Sequence, residues 1–208
     1  MTIAILGAGN VGAALGRRLT SLGEDVCFGV PDPEKYRALA KELGQHAKVG
    51  RLADAVAAST IVILAVPYAA AEPIARSIDD WAGKILIDAT NPLAPGLAGL
   101  VVGTTTSGAE EIARSARNAR VVKAFNTTGA ENMVDPVYPT GRIFMPICGD
   151  DPAARAEVVA LAGRIGFEAF DCGELSAARY LEPFAMTWIH MAYKRGLGRR
   201  FGFGFMRR

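Results

Sequence analysis

The 208-residue sequence predicts an α/β protein built on a doubly wound parallel sheet. Three observations carry that expectation. Short β-branched runs alternate with Ala-rich helical stretches along the whole chain. Several runs, such as Ile61-Val62-Ile63-Leu64-Ala65-Val66, are apolar throughout, as strands covered on both faces by helices must be. The helical stretches also open on recognisable capping chemistry. Strands alternating with helices of this length assemble from βαβ units.

Strands are expected at 2–6, 25–30, 60–66, 84–89, 120–125, 143–148 and 168–171. Helices are expected at 10–22, 33–43, 51–58, 69–80, 107–116, 151–165 and 176–195. Asp151-Pro152 and Asp32-Pro33 each place an N-cap acid before a proline at the first helical position. Ser107-Gly108-Ala109-Glu110 has the spacing of a capping box. We divide the chain into a dinucleotide-binding region, 1–148, and a small C-terminal α/β extension, 149–208.

Composition narrows the function. Half of the residues are hydrophobic and the formal net charge is only +2, too little to imply a nucleic-acid partner. No apolar run reaches the roughly 18 residues of a membrane span, and the chain opens directly into a strand, leaving no room for a signal peptide. Cys27, Cys148 and Cys172 are scattered, as in a reduced cytoplasmic protein. With His46 and His190 the only histidines, an imidazole metal centre is not expected.

The strongest motif is Gly7-Ala8-Gly9-Asn10-Val11-Gly12, placed between the first strand and the first helix. Gly7 permits the tight turn, Gly9 lets a pyrophosphate approach the backbone, and Gly12 allows close helix–strand packing. The helix N-terminus then offers free amides and a positive dipole end to phosphates. These residues predict a Rossmann-type domain that binds NAD or NADP. An acid near the end of the second strand favours NAD, whereas arginine or serine there favours NADP. Asp32 stands at the expected distance past the motif, but it also reads as the N-cap of the next helix, and Lys35 could meet a 2′-phosphate or sit on a solvated face. The two dinucleotides stay open.

Ligands of an open parallel sheet lie beyond the carboxyl ends of its strands. Three such ends are polar or rigid here: Val66-Pro67-Tyr68, Asp88-Ala89-Thr90-Asn91-Pro92 and Lys123-Ala124-Phe125-Asn126-Thr127-Thr128. With ILGAGNVG, LAVPY, IDATNPL, VVKAFNT, ICGDDPAAR and DCGELSAARYLEP in order, the chain resembles the deazaflavin-dependent NADP oxidoreductases. It is similar as well to the reductase domain of the six-transmembrane ferric reductases. The resemblance runs over residues 1–191. It implies a Rossmann domain with a short C-terminal α/β extension, usually dimeric, in which a dinucleotide and a deazaflavin (coenzyme F420) or flavin (FMN or FAD) lie with their rings apposed. It further implies that Asn10, Val11, Val66, Pro67 and Asn91 line the dinucleotide, while Asn126 and Thr127 face the second ring. Two positions depart from the family pattern. Val30-Pro31 stand where serine-arginine often binds the 2′-phosphate, and Asn126 stands where the archaeal type tends to have histidine.

Direct hydride transfer between two redox rings needs alignment and electrostatics rather than a protein nucleophile. Carbonyl or imine reduction needs a general acid or base, for which Lys123 is the best candidate; its other reading is a structural cap or ion pair. A module that holds a dinucleotide without turnover is the non-enzymatic alternative. Leu181, Phe184, Trp188 and Met191 form an apolar helix stripe near the chain end, followed by a basic, acid-free segment from Lys194 to Arg208. A stripe with so little chain left to cover it predicts a homodimer contact.

Overall fold

The computed structural model describes residues 2–208. The first half winds as β1 (Thr2–Leu6), α1 (Asn10–Ser21), β2 (Asp25–Gly29), α2 (Arg37–Leu43), β3 (Ala47–Gly50), α3 (Leu52–Ala57), β4 (Ile61–Leu64), α4 (Tyr68–Ser77) and β5 (Ile85–Asp88). It continues through α5 (Gly108–Ser115), β6 (Arg120–Lys123), α6 (Ala130–Val134) and a hairpin of β7 (Val137–Tyr138) and β8 (Gly141–Arg142). The chain closes with β9 (Phe144–Gly149), α7 (Pro152–Ile165), β10 (Glu168–Asp171) and α8 (Ala178–Ile189).

One eight-stranded sheet runs in the order β10-β9-β6-β5-β4-β1-β2-β3. The chain turns back at the β1/β4 boundary, the switch point where open α/β sheets bind ligands. Alternation along β1 shows the double layer directly. Ile3 and Ile5 belong to the core layer that also holds Ala14, Leu15 and Leu19 of α1 and, further along the sheet, Val158 and Leu161 of α7. Ala4 and Leu6 belong to the layer on the other face, with Ala55 of α3, Ala71 and Ala75 of α4 and Ile112 of α5.

The expected doubly wound α/β fold is present, with one reversal. β9 runs antiparallel to β6, pairing Lys123 with Cys148, and β10 is parallel to β9. A parallel neighbour needs a crossover back to the other end of the sheet. Here the connection is spent on α6, which packs on α1, and on the hairpin, so the chain enters β9 at the end where β6 finished. Sequence reading also missed β3, whose Ala-Lys-Val-Gly is too short to show a period.

The capping signals hold in part. Asp151 accepts the Ala154 N–H at 2.7 Å. Ser107 Oγ accepts the Glu110 N–H at 3.2 Å but donates to Glu110 Oε2 at 2.8 Å, so the return bond of the box is made by the hydroxyl rather than by the backbone. The last expected helix divides into a 3-10 turn (Leu175–Ala177), α8 and a π turn over His190–Lys194.

Candidate functional site

The glycine loop leaves β1 through Gly7, whose φ of +97° lies in the left-handed region and whose N–H donates to the Gly29 carbonyl at 3.0 Å. A Cβ at Gly7 would stand 2.6 Å from the Ala65 carbonyl oxygen, and one at Gly12 would stand 2.1 Å from the Gly7 carbonyl oxygen. Both glycines are therefore fixed by the protein's own packing. Gly9 differs: a Cβ there would meet nothing within 4 Å. Its lack of a side chain leaves open space at the N-terminus of the twelve-residue α1, where free amides face outward. This cradle fits a pyrophosphate. Asn10 is exposed and Val11 half-buried beside it.

At the end of β2, Val30 is 1% exposed, so its side chain belongs to the interior, while its N–H donates to the Gly50 carbonyl at 3.1 Å. Asp32 is exposed and its carboxylate accepts the Glu34 N–H at 3.1 Å, but it does not cap the expected helix: a 3-10 turn over Glu34–Tyr36 starts from Pro33, and α2 begins only at Arg37.

Two clefts open beyond the strand ends. The larger, about 570 Å³, is walled by Val11, Val66, Pro67, Tyr68 and Asn91, among others. The smaller, about 220 Å³, is walled by Asn10, Val11, Asn91, Asn126, Trp188 and Tyr193, among others. They share Val11, Asn91 and Leu93. Asn91 Nδ2 donates to the Asn126 carbonyl at 2.8 Å, and Asn126 Nδ2 donates to Asn91 Oδ1 at 3.0 Å. Asn126 Oδ1 is buried with no partner among the described residues. An unpaired buried acceptor beside a cleft suits a ligand that brings a donor. Thr127 turns inward, 2% exposed, with its hydroxyl 3.8 Å from Met145 Sδ; Thr128 lines the cleft instead. The cause is Phe125, a buried aromatic held at φ +62° with its N–H on Met145 Sδ at 3.2 Å. That conformation is rare for a bulky residue and costs roughly 1–3 kcal/mol; it bends the chain at the end of β6, next to Asn126.

Lys123 does not face either cleft. It is fully buried, and its Nζ donates to Asp88 Oδ2 at 2.8 Å and to the Thr90 carbonyl at 2.6 Å, with Glu182 Oε1 at 3.0 Å. Burial pulls its pKa down, but the charges of Asp88 and Glu182 more than offset this, so the ammonium is held above its ordinary value. Glu182 also accepts the N–H groups of Gly108 and Ala109 at 3.0 and 3.1 Å, capping α5. No sequence spacing marks Glu182, because its partners lie on other elements. Of the other groups lining the larger cleft, Tyr68 donates its hydroxyl hydrogen to Glu111, and burial followed by that carboxylate pushes its pKa up. Its proton is thus turned away from the cleft.

The C-terminal segment folds back over the apolar stripe. Phe201 stacks on Trp188 with ring centroids 5.3 Å apart, and Phe203 lies 4.9 Å from Phe184. The Phe203 carbonyl accepts the Phe144 N–H at 2.8 Å, and the Phe201 carbonyl accepts from Trp188 Nε1 at 2.9 Å. Much of the surface expected to need a second subunit is covered by the chain's own tail, which corrects the reasoning behind that expectation. Tyr180, 76% exposed, and Leu197, 56% exposed, remain uncovered. No helix among the described residues is long and apolar enough to cross a membrane.

Comparison with known proteins places this geometry. The family model for NADP oxidoreductase, coenzyme F420-dependent, matches residues 2–92. The F420-dependent NADP reductase of Methanothermobacter thermautotrophicus is 31% identical over 207 residues, spanning 92% of this chain and 89% of that protein. Metalloreductase STEAP3 of Rattus norvegicus is 31% identical over 187 residues, but the match spans only 37% of its length against 90% of this chain. A solved structure from Arthrobacter sp. FB24, described as a candidate F420-dependent NADP reductase, superposes with a TM-score of 0.85 at 32% identity over 100% of both chains. A reductive aminase from Aspergillus terreus, at 19% identity and a TM-score of 0.71, shares the fold.

Proposed function

The chain belongs to the coenzyme F420-dependent NADP oxidoreductase family, and on that premise we propose that it moves a hydride between NADP(H) or NAD(H) and a flat redox ring, a deazaflavin (coenzyme F420) or a flavin (FMN or FAD). One observation carries the reading: a cleft beside the glycine loop and a second cleft share the Val11–Asn91 wall. Gly7, Gly9 and Gly12 with the α1 amides would hold the pyrophosphate, and Val11, Val66, Pro67 and Asn91 would flank the nicotinamide. Asn126, with its unpaired Oδ1, would meet the acceptor's polar edge. When bound, the dinucleotide supplies or takes the hydride. The chain's own part is to align two rings and exclude water between them. Lys123 is committed to Asp88 and Glu182, and the Tyr68 proton to Glu111, so neither presents a general acid as carbonyl or imine reduction requires.

The test is an anaerobic matrix of NADH and NADPH, each against FMN, FAD and 8-hydroxy-5-deazaflavin. Turnover with at least one ring is expected. Tight dinucleotide binding without turnover on any ring would leave a non-catalytic module, and turnover on small carbonyls or imines alone would favour the reductase alternative. A cytoplasmic homodimer with Tyr180 and Leu197 at the subunit contact belongs to the same reading. Light scattering at tens of micromolar checks it, and a monomer at that concentration counts against it.

A further inference from the structure

We infer that Arg51 is the recognition site for the 2′-phosphate of the dinucleotide, so that selection of NADP(H) over NAD(H) is made from the end of β3 and not from the end of β2. This rests on the dinucleotide reading above. The end of β2 has little to offer a phosphate. The Val30 side chain is buried, Pro31 has no N–H, and the Asp32 carboxylate is bent back onto the Glu34 N–H at 3.1 Å.

β2 and β3 are in register, Gly29 opposite Gly50, and the Val30 N–H is tied to the Gly50 carbonyl at 3.1 Å. Arg51 therefore emerges beside Val30-Pro31, about 4.8 Å away across the sheet. Its side follows from alternation. A Cβ on Gly50 would point at Asp54 of α3, 3.9 Å off. Arg51 continues the extended backbone, with φ −71° and ψ 158°, so its side chain leaves on the opposite face. That is the face where Phe28 of β2 packs under Gly16 of α1, the helix that begins at the glycine loop.

The guanidinium is uncommitted. Arg51 is exposed, and its side chain makes no hydrogen bond or ion pair among the described residues. Other cations of this corner are engaged: Arg17 with Glu42 at 2.9 Å, Arg37 with Glu34 at 2.5 Å, and Lys35 over the Tyr36 ring at 5.8 Å. A planar fork of donors suits a phosphate monoester, which accepts two parallel N–H bonds.

Calorimetry with NADPH and NADH on the full chain tests this, with 2′,5′-ADP and 5′-AMP as fragment probes. The wild type should bind NADPH and 2′,5′-ADP more tightly than NADH and 5′-AMP. Arg51→Gln should weaken NADPH and 2′,5′-ADP by about tenfold or more and leave NADH within twofold, while Arg51→Lys should retain part of the preference. Equal losses for both dinucleotides, no loss for either, or loss of discrimination in Lys35→Gln instead of Arg51→Gln would overturn the assignment. A wild type that binds neither dinucleotide would overturn the underlying reading as well.

Discussion

Asn91 and Asn126 clasp each other across the ends of β5 and β6, each donating its side-chain amide to an oxygen of the other, at 2.8 and 3.0 Å. The clasp joins the two clefts, and it leaves Asn126 Oδ1 buried without a partner among the described residues.

Replacing Asn126 by Leu removes that acceptor and the bonds to Asn91 and to the Leu181 carbonyl. Stability should fall by roughly 1–3 kcal/mol, the cost of orphaning buried partners. The acceptor's KM should rise by about tenfold or more, while dinucleotide affinity stays within about twofold. Titration of each ligand on the folded variant separates the two sites.

Gly9 and Gly12 should fail in opposite ways. Gly9→Asp places a side chain in open space at an N-cap, a position aspartate favours, so melting should be unchanged or raised. Its carboxylate would face the pyrophosphate, and dinucleotide affinity should drop at least about tenfold, or about 1.4 kcal/mol. Gly12→Ala drives a methyl into the Gly7 carbonyl oxygen and should destabilise the fold by about 1–3 kcal/mol. Thermal melts beside calorimetry read both.

Lys123→Met should cost about 3–5 kcal/mol, because Asp88 and Glu182 would be left buried without their cation. Low expression or early melting is expected before any effect on turnover, and Met in a fully stable fold would contradict the buried triad. Because the folded-state pKa of Lys123 lies above its ordinary 10.5, the pairing contributes fully below that pH. Its contribution is lost as the pH rises through the folded value. Denaturation midpoints in alkaline buffer should show this decline in the wild type and lack that component in Lys123→Met.

Truncation before Phe201 should strip the cover from Trp188 and Phe184 and remove the two hydrogen bonds that the Phe201 carbonyl accepts from Trp188 Nε1 and Asn132 Nδ2. At roughly 0.5–1.5 kcal/mol per lost hydrogen bond, with the lost ring packing in addition, a loss of at least about 1–3 kcal/mol is expected in chemical denaturation. A truncated chain as stable as the full one would show that the tail does not dock.

Much of this architecture is written locally. Runs such as Ile61–Leu64 carry their own burial, and Asp151 caps α7 with a neighbour three residues on. The glycine loop is equally legible, because Gly7 and Gly12 are demanded by atoms close in the chain or in the adjoining strand. What sequence reading missed depends on distant partners. Glu182 is a helix residue until α8 sets it against Lys123 and the start of α5. Thr127 and Thr128 are indistinguishable as letters, and only the left-handed turn at Phe125 decides which of them reaches the cleft. The reversal at β9 and the docking of the tail phenylalanines are likewise choices of connection that local propensity does not encode.

The antiparallel junction of β6 and β9 bears on how such a site diversifies. Because β9 and β10 point away from the cleft, their carboxyl-end loops lie on the far edge of the sheet. The C-terminal part reaches the cleft through α8, the π turn and the segment after it. The two parts cannot diversify independently: Glu182 of α8 pairs with Lys123, which in turn holds the carbonyl of Thr90 in the wall of the larger cleft, so any exchange of the chain from α8 onward must keep that glutamate.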